Sequence, residues 1–375
     1  MPDELRALSI FGTRPEAIKM APVLTQLRES PTIESIVCIT AQHRKMLDQV
    51  LDLFDIQPDY DLDIMQPAQP LNELTARVFQ GLEPVIESVE PNWVLVQGDT
   101  TTVMSAALLA YYHRVKVGHV EAGLRTGDKY QPFPEEINRR VLGAVSDLHF
   151  APTAWAQENL LKESVPQEKI VVTGNTVIDA LNVVIERPVD LFTGPLAGLE
   201  HEKIILVTAH RRENVGEPFE RIFSALREIA QQYAGKAQLI YPLHLNPKVQ
   251  EPAKSMLSGV PNIHLIEPLA YLPMVHLIKQ AHIILTDSGG IQEEAPGLGT
   301  PVLVLRELTE RPEAVEAGKA ILVGTDKDRI VSETRRLMDD PQAYAAMAMA
   351  VNPYGDGHAA ERIVEALLAA EGESA

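Results

Sequence analysis

The chain has 375 residues, 45% of them hydrophobic, which exceeds the usual span of one hydrophobic core and sets two domains as the expectation. Its 33 basic residues stand against 52 acidic ones, and the resulting charge of -19 repels phosphate backbones and anionic lipid headgroups, arguing against nucleic-acid and membrane-surface roles. The single cysteine, Cys38, has no partner for an internal disulfide. No run of about 18 apolar residues occurs and MPDELRALSIFG is unlike a secretory leader, so the expectation is a cytoplasmic protein.

In chain order, short β-branched runs alternate with helical patterns. LRALSIF precedes PEAIKMAPVLTQLRE, SIVCIT precedes RKMLDQVLDLF, WVLVQ precedes TTVMSAALLAYYH, KVGHV precedes EEINRRVLGAVS, and LHFAP precedes AWAQENLLKE. The strands are apolar enough to be covered on both faces, which predicts a parallel sheet sandwiched by helices. VVTGNTVIDALNVVIERPVDLFTGPLAGLEHE carries a helix and then a stretch rich in Pro and Gly, read as the connection. The pattern then restarts with KIILVTA, QLIYPLH, NIHLIEP, HIILTD, PVLVL and AILVG, and a final amphipathic helix, GHAAERIVEALLAA, closes the chain. The expected fold is α/β: two doubly wound, Rossmann-like domains facing across a cleft, residues 1–172 with helix 353–375 and residues 173–352. A ligand is expected at the carboxyl ends of the strands.

Several strand ends open into polar turns. In GTRPEAIK, Pro15 suits a first helical position and Arg14 and Lys19 bring positive charge to a helix N-terminus, as an anion site or as solvated residues of an ordinary capped helix. Asp99 in VLVQGDTTT and Glu121 in VGHVEAG follow buried-type strands as caps or as catalytic groups, the cap fitting Glu121 less well. Glu135 begins a helix after Pro134, where a first-turn acid is held by the dipole, and Glu136 is equally suited to face solvent. His210 in ILVTAHRRENVG stands beside two arginines, well placed to meet an anion. In HIILTDSGGIQEEAPGLG, Ser288, Gly289 and Gly290 present backbone N–H groups at a helix start, favouring phosphate, with Glu293 and Glu294 one turn in for ribose hydroxyls. The strand, turn and helix setting argues against Ser288 as a hydrolytic nucleophile. GLGTPV and GDGHAA lack a dinucleotide fingerprint, HEKII lacks a second histidine at helical spacing and no CxxC exists, so neither a nicotinamide cofactor nor a zinc site is expected.

Taken together, FGTRPEAIKMAPV, QGDTTT, HVEAGLRT, PFPEEINRR, TGNTVIDAL, HRREN, TDSGGIQEEAPGLGTPVLVLRELTERPE and NPYGDGHAAERI resemble the non-hydrolysing bacterial UDP-N-acetylglucosamine 2-epimerases, in order from residue 11 to about 363. The resemblance implies the two-domain fold of many nucleotide-sugar glycosyltransferases (GT-B), the last helix crossing back to the first domain. It also implies reversible epimerisation at C2, by loss of UDP to an enzyme-held 2-acetamidoglucal and re-addition, for surface polysaccharide precursors and without a cofactor. Hydrolysis to free N-acetylmannosamine, glycosyl transfer on the same fold and binding without turnover are the competing functions.

Residue by residue, Asp99, Glu121 and Glu135 match the family's catalytic carboxylates, and His210 matches its active-site histidine. Arg14, Lys19, Ser288, Gly289, Gly290, Glu294 and Arg311 match its substrate and UDP positions. Leu269 and Met274 stand where the family often has glutamine and an aromatic residue, which bears on the uracil contacts. Arg125, Arg139 and Arg140 are expected to keep some of the acids ionised. Some members are activated allosterically by UDP-N-acetylglucosamine; Gln42, His43, Gln69, Glu136, Arg211 and His244 fall in comparable motifs. A homodimer is expected from the same resemblance.

Overall fold

The computed structural model describes residues 4–40, 44–64, 69–199 and 202–372. They form two compact units: residues up to Ala180 together with those from Tyr354 onward, and Leu181–Pro353.

In the first unit the strands β1 (Leu5–Phe11), β2 (Ile33–Ile39), β3 (Tyr60–Asp61), β4 (Trp93–Gln97), β5 (Lys116–Val120), β6 (Leu148–Ala151) and β7 (Ile170–Val172) make a parallel sheet in the order β3-β2-β1-β4-β5-β6-β7. Parallel strands need crossover connections, and here helices supply them and cover both faces. That is why β4 is buried from end to end. Each fully buried Val, Leu or Ile contributes about 1.5–3 kcal/mol of transfer free energy, so such strands can be short. Strand order reverses between β1 and β4. Loops leaving their carboxyl ends therefore diverge and leave a crevice there.

The second unit repeats the plan with β8 (Lys203–Thr208), β9 (Ala237–Pro242), β10 (Ile263–Ile266), β11 (Ala281–Thr286), β12 (Val302–Val304) and β13 (Ala320–Leu322), in the order β10-β9-β8-β11-β12-β13. Its reversal falls between β8 and β11. The helix Glu217–Gln232 buries Phe219 and Phe223, stacked at 5.3 Å, against this sheet's core.

The last helix, Ala359–Gly372, belongs to the first unit. Glu371 accepts from Trp93 Nε1 at 2.8 Å and from Lys116 Nζ at 2.7 Å, which ties the helix to the amino ends of β4 and β5. At its other end Asp179 accepts from Ala360 N at 2.9 Å, and Arg362 donates to Thr173 O at 2.9 Å while pairing with Asp356 at 2.7 Å. Gly174 and Gly355 hold positive φ where two backbones nearly touch, and a Cβ on Gly355 would meet Gly174 Cα at 3.1 Å.

Some expectations need correction. Val171 and Val172, taken as the start of the connection, belong to the edge strand β7, paired with β6, and Asn175 N donates to Tyr354 O at 2.8 Å. These contacts hold residues 173–180 to the first unit, so it runs past residue 172. The helix Leu71–Val89 has no counterpart among the segments singled out above; Pro84 inside it interrupts the pattern that marks a helix. Among the described residues no helix is long and apolar enough to cross a membrane.

The burial of His149 on β6 has a consequence for stability. Burial, then the charges of His119, Lys169 and Arg125, pushes its imidazole down to about 3. An unfolded histidine takes up a proton near about pH 6.5, so between those values the unfolded chain binds more protons and acid destabilises the fold through this group. Relative to wild type, His149→Phe is expected to gain stability in urea unfolding as the buffer is lowered from about pH 7 to about pH 4.5. A stability difference that stays constant with pH would contradict that linkage.

Candidate active site

The first cluster gathers at the carboxyl ends of β1, β4 and β5. The helix Arg14–Glu29 begins with a capping box: Thr13 Oγ1 accepts from Glu16 N, and Glu16 Oε2 accepts from Gly12 N at 2.6 Å and Thr13 N at 2.9 Å. Two of the amides expected for an anion are thus already used by Glu16. Burial raises its carboxyl pKa, against hydrogen bonds from Gly12, Thr100 and Thr13. One turn on, Lys19 Nζ lies 2.5 Å from Glu121 Oε1, so its charge faces a carboxylate.

Glu121 has φ +65, a left-handed conformation unusual for a side-chain-bearing residue and a mark of a position fixed by its surroundings. Its second oxygen accepts from Gln97 Nε2 at the end of β4. Asp99, two residues beyond Gln97, is not the helix cap: Thr100 is, accepting from Val103 N at 3.3 Å. The Asp99 carboxylate instead meets Arg139 Nε at 2.8 Å and Nη2 at 2.7 Å, and its carbonyl accepts from Asn138 Nδ2 at 2.8 Å.

Both partners come from the helix Glu135–Val145, which Glu135 opens. Glu136 does not face solvent. It is 0% exposed, accepts from Thr126 N at 3.0 Å and Gly127 N at 3.1 Å, and pairs with Arg139 at 3.3 Å and Arg140 at 3.7 Å. Arg139 therefore serves two carboxylates at once. Arg125 is engaged elsewhere, by Glu163 at 2.7 Å, and its guanidinium holds that carboxyl below its ordinary range.

Two members of this cluster escaped the sequence reading. Gln97 is the first. His119 is the second: burial pushes it down to about 4, and its Nε2 lies 2.7 Å from Gly98 O, which can only accept, so Nε2 carries the proton. A polar side chain inside the otherwise apolar β5, two residues before Glu121, is the signal that would have found it.

The second cluster lies at the β8 and β11 ends. His210 stacks on His244, rings 5.1 Å apart, and burial lowers its pKa, with Asp287 opposing and His244 and Arg211 adding to the fall. Ser288 precedes the helix Gly289–Gly297, and its N–H donates to Thr286 Oγ1 at 2.9 Å. A Cβ on Gly289 would sit 2.7 Å from Arg311 Nη1 and 3.2 Å from Arg211 Nη2, so two guanidinia lie against bare backbone. Gly290 follows, and its Cβ would stand 4.0 Å from Glu294 Oε1.

Arg311 is met by Glu293 at 2.5 Å and Glu310 at 2.7 Å, so the carboxylate of Glu293 is directed at arginine. Despite burial, Arg311 and Arg306 hold Glu310 well below the carboxylate range. Asp287, Gln97 and Glu310 look like ordinary strand-end or loop residues until their partners are in place. Of the remaining expected positions, Arg14 is half-buried in the first turn of its helix, Gln69 precedes Leu71–Val89, and Gln42 and His43 lie outside the described residues. Among the described residues no cluster of His, Cys, Asp or Glu is arranged to hold a metal.

The family model for UDP-N-acetylglucosamine 2-epimerase matches residues 25–368. A UDP-N-acetylglucosamine 2-epimerase of Yersinia pestis is 56% identical over 97% of this chain and 98% of its own length. The crystal structure of UDP-GlcNAc 2-epimerase from Neisseria meningitidis bound to UDP-GlcNAc superposes with a TM-score of 0.90 at 52% identity, covering 97% of this chain and all of that one. A glycotransferase of kitacinnamycin, 12% identical with a TM-score of 0.64 and 99% coverage of both chains, shares the fold alone, which is the glycosyltransferase-like α/β architecture of two parallel sheets. With identity above one half along nearly the whole length, the strand-end carboxylates and guanidinia are those of a member of the UDP-N-acetylglucosamine 2-epimerase family, to which this chain belongs.

Proposed function

We propose that the chain interconverts UDP-N-acetylglucosamine and UDP-N-acetylmannosamine by removing the C2 proton, expelling UDP to leave 2-acetamidoglucal, and re-adding UDP with a proton returned to the opposite face. The observation that carries this is the pair Asp99 and Glu121 just past neighbouring strand ends, Asp99 held by Arg139 and Glu121 by Lys19. C2 of the sugar is a weak carbon acid, so the base must be fixed in place, and inversion needs a second acid/base group for the other face. Glu135 and His210 are the further candidates for proton transfer.

Expulsion of UDP develops charge on the diphosphate. Backbone amides at Gly289 and Gly290, with Arg311, are assigned to that charge, and Arg14, Lys19, Ser288 and Glu294 to the remaining substrate contacts. The two carboxylates already on Arg311 support a role in which its guanidinium is held in one place before UDP arrives.

The same proposal takes the enzyme to be a cytoplasmic homodimer activated by its own substrate, with Gln69, Glu136, Arg211 and His244, together with Gln42 and His43, at the regulatory positions. A sigmoidal dependence of rate on UDP-N-acetylglucosamine would express that activation.

Incubation with UDP-N-acetylglucosamine alone, followed by proton and phosphorus NMR, is expected to yield UDP-N-acetylmannosamine without stoichiometric release of UDP. Accumulation of UDP with free N-acetylmannosamine, or a requirement for an acceptor, would overturn the proposal. Glu121→Gln and Asp99→Asn are each expected to lower kcat by about 100-fold or more while calorimetric UDP affinity changes by less than about threefold; turnover at the wild-type rate would remove either residue from its role. Gly289→Ala is expected to weaken UDP about tenfold, since its Cβ displaces two guanidinia. Unaltered affinity would dissociate Gly289 from the nucleotide.

A further inference from the structure

We propose that Asp287 is a positioning residue that fixes the tautomer and orientation of His210; this rests on His210 acting in the reaction. Asp287 is 0% exposed, directly after β11, and its carboxylate collects donors from the loop after β8. His210 N reaches both oxygens, at 2.9 and 2.8 Å, Arg211 N reaches Oδ2 at 2.8 Å, and Asn214 Nδ2 reaches Oδ2 at 2.9 Å. Asn214 also donates to Leu305 O at 3.2 Å beyond β12, and Asp287 N donates to Thr208 O at 3.0 Å. The carboxylate is thus clamped between β8, β11 and the loop after β12. Every one of these partners is a donor, so both oxygens act as acceptors.

Oδ1 then faces His210 Nδ1 at 3.6 Å. That separation is longer than a hydrogen bond, and the buried carboxylate acts on the ring through its charge: it favours hydrogen on the nitrogen facing it, Nδ1, which leaves the lone pair on Nε2. The charged and titratable groups around the ring are Asp287 on this edge, His244 stacked on its face and Arg211 next in the chain. Of these, Asp287 alone favours the protonated ring. The sequence gives no hint of the pairing because 77 positions separate Asp287 from His210.

The test begins on the wild-type protein. Selective nitrogen-15 labelling of histidine, with His210 assigned by its absence in His210→Gln, is expected to report the Nδ1–H tautomer at neutral pH; the Nε2–H tautomer would overturn the proposal whether or not any Asp287 variant folds. In Asp287→Asn the His210 midpoint is expected to fall by about one pH unit, and kcat by about tenfold or more. In a His210→Gln background the same substitution is expected to cost less than about threefold further, as for residues acting as one unit. An unmoved midpoint, or full additivity of the two losses, would leave Asp287 with a structural role only. Wild-type turnover in His210→Gln would instead remove His210 from the mechanism while the tautomer measurement still decides what Asp287 does to the ring.

Discussion

A carboxylate at the carboxyl end of a buried parallel strand cannot rely on water, and it must find its donors within the protein. This constraint shapes both strand-end clusters. Lys19 and Gln97 answer Glu121, Arg139 and Arg140 answer Glu136, Arg139 also answers Asp99, and the loop after β8 answers Asp287. Breaking a pair of this kind costs about 3–5 kcal/mol when one buried charge is left behind, so each partner is as constrained as the acid it serves. A network of that stiffness holds reactive groups in one geometry before substrate binds, the condition under which electrostatic stabilisation costs no reorganisation.

The two units divide this chemistry. In the first, a lysine and an arginine hold separate carboxylates on adjacent strands, an arrangement suited to moving a proton. In the second, arginines lie against a glycine at a helix start, an arrangement suited to an anion. Even there the cations are not left to solvent: Glu293 and Glu310 fix Arg311, and Glu213 and Glu310 fix Arg306. The same plan of a parallel sheet with its order reversed at one point serves both purposes, because the crevice it creates is independent of the side chains placed around it.

Much of this was legible in the sequence, for a physical reason. Strands buried on both faces read as short apolar runs, and the ionisable residues just past their ends, Asp99, Glu121 and His210, stood out, whereas Gln97, His119 and Thr208 passed as parts of the strands. The two-residue strand Tyr60–Asp61 and the edge strand β7 offered too few residues for any pattern, and Pro84 hid a long helix. Partner choice was less legible still. Nothing local separates Arg139, which joins Asp99 to Glu136, from Arg125, which turns to Glu163, since the pairing is decided by where the helix Glu135–Val145 packs against the helix Thr101–Tyr112 that follows Asp99. Glu136 illustrates the same limit: adjacent to Glu135 and alike in chemistry, it is buried because the loop amides of Thr126 and Gly127 close over it.

What the whole account requires is that a hydrogen leaves C2 of the sugar and is replaced from within the protein. The direct measurement is solvent isotope at that carbon: with UDP-N-acetylglucosamine in deuterium oxide, the account predicts deuterium at C2 of the newly formed manno isomer. A manno isomer that retains its original hydrogen at C2 throughout turnover would contradict it.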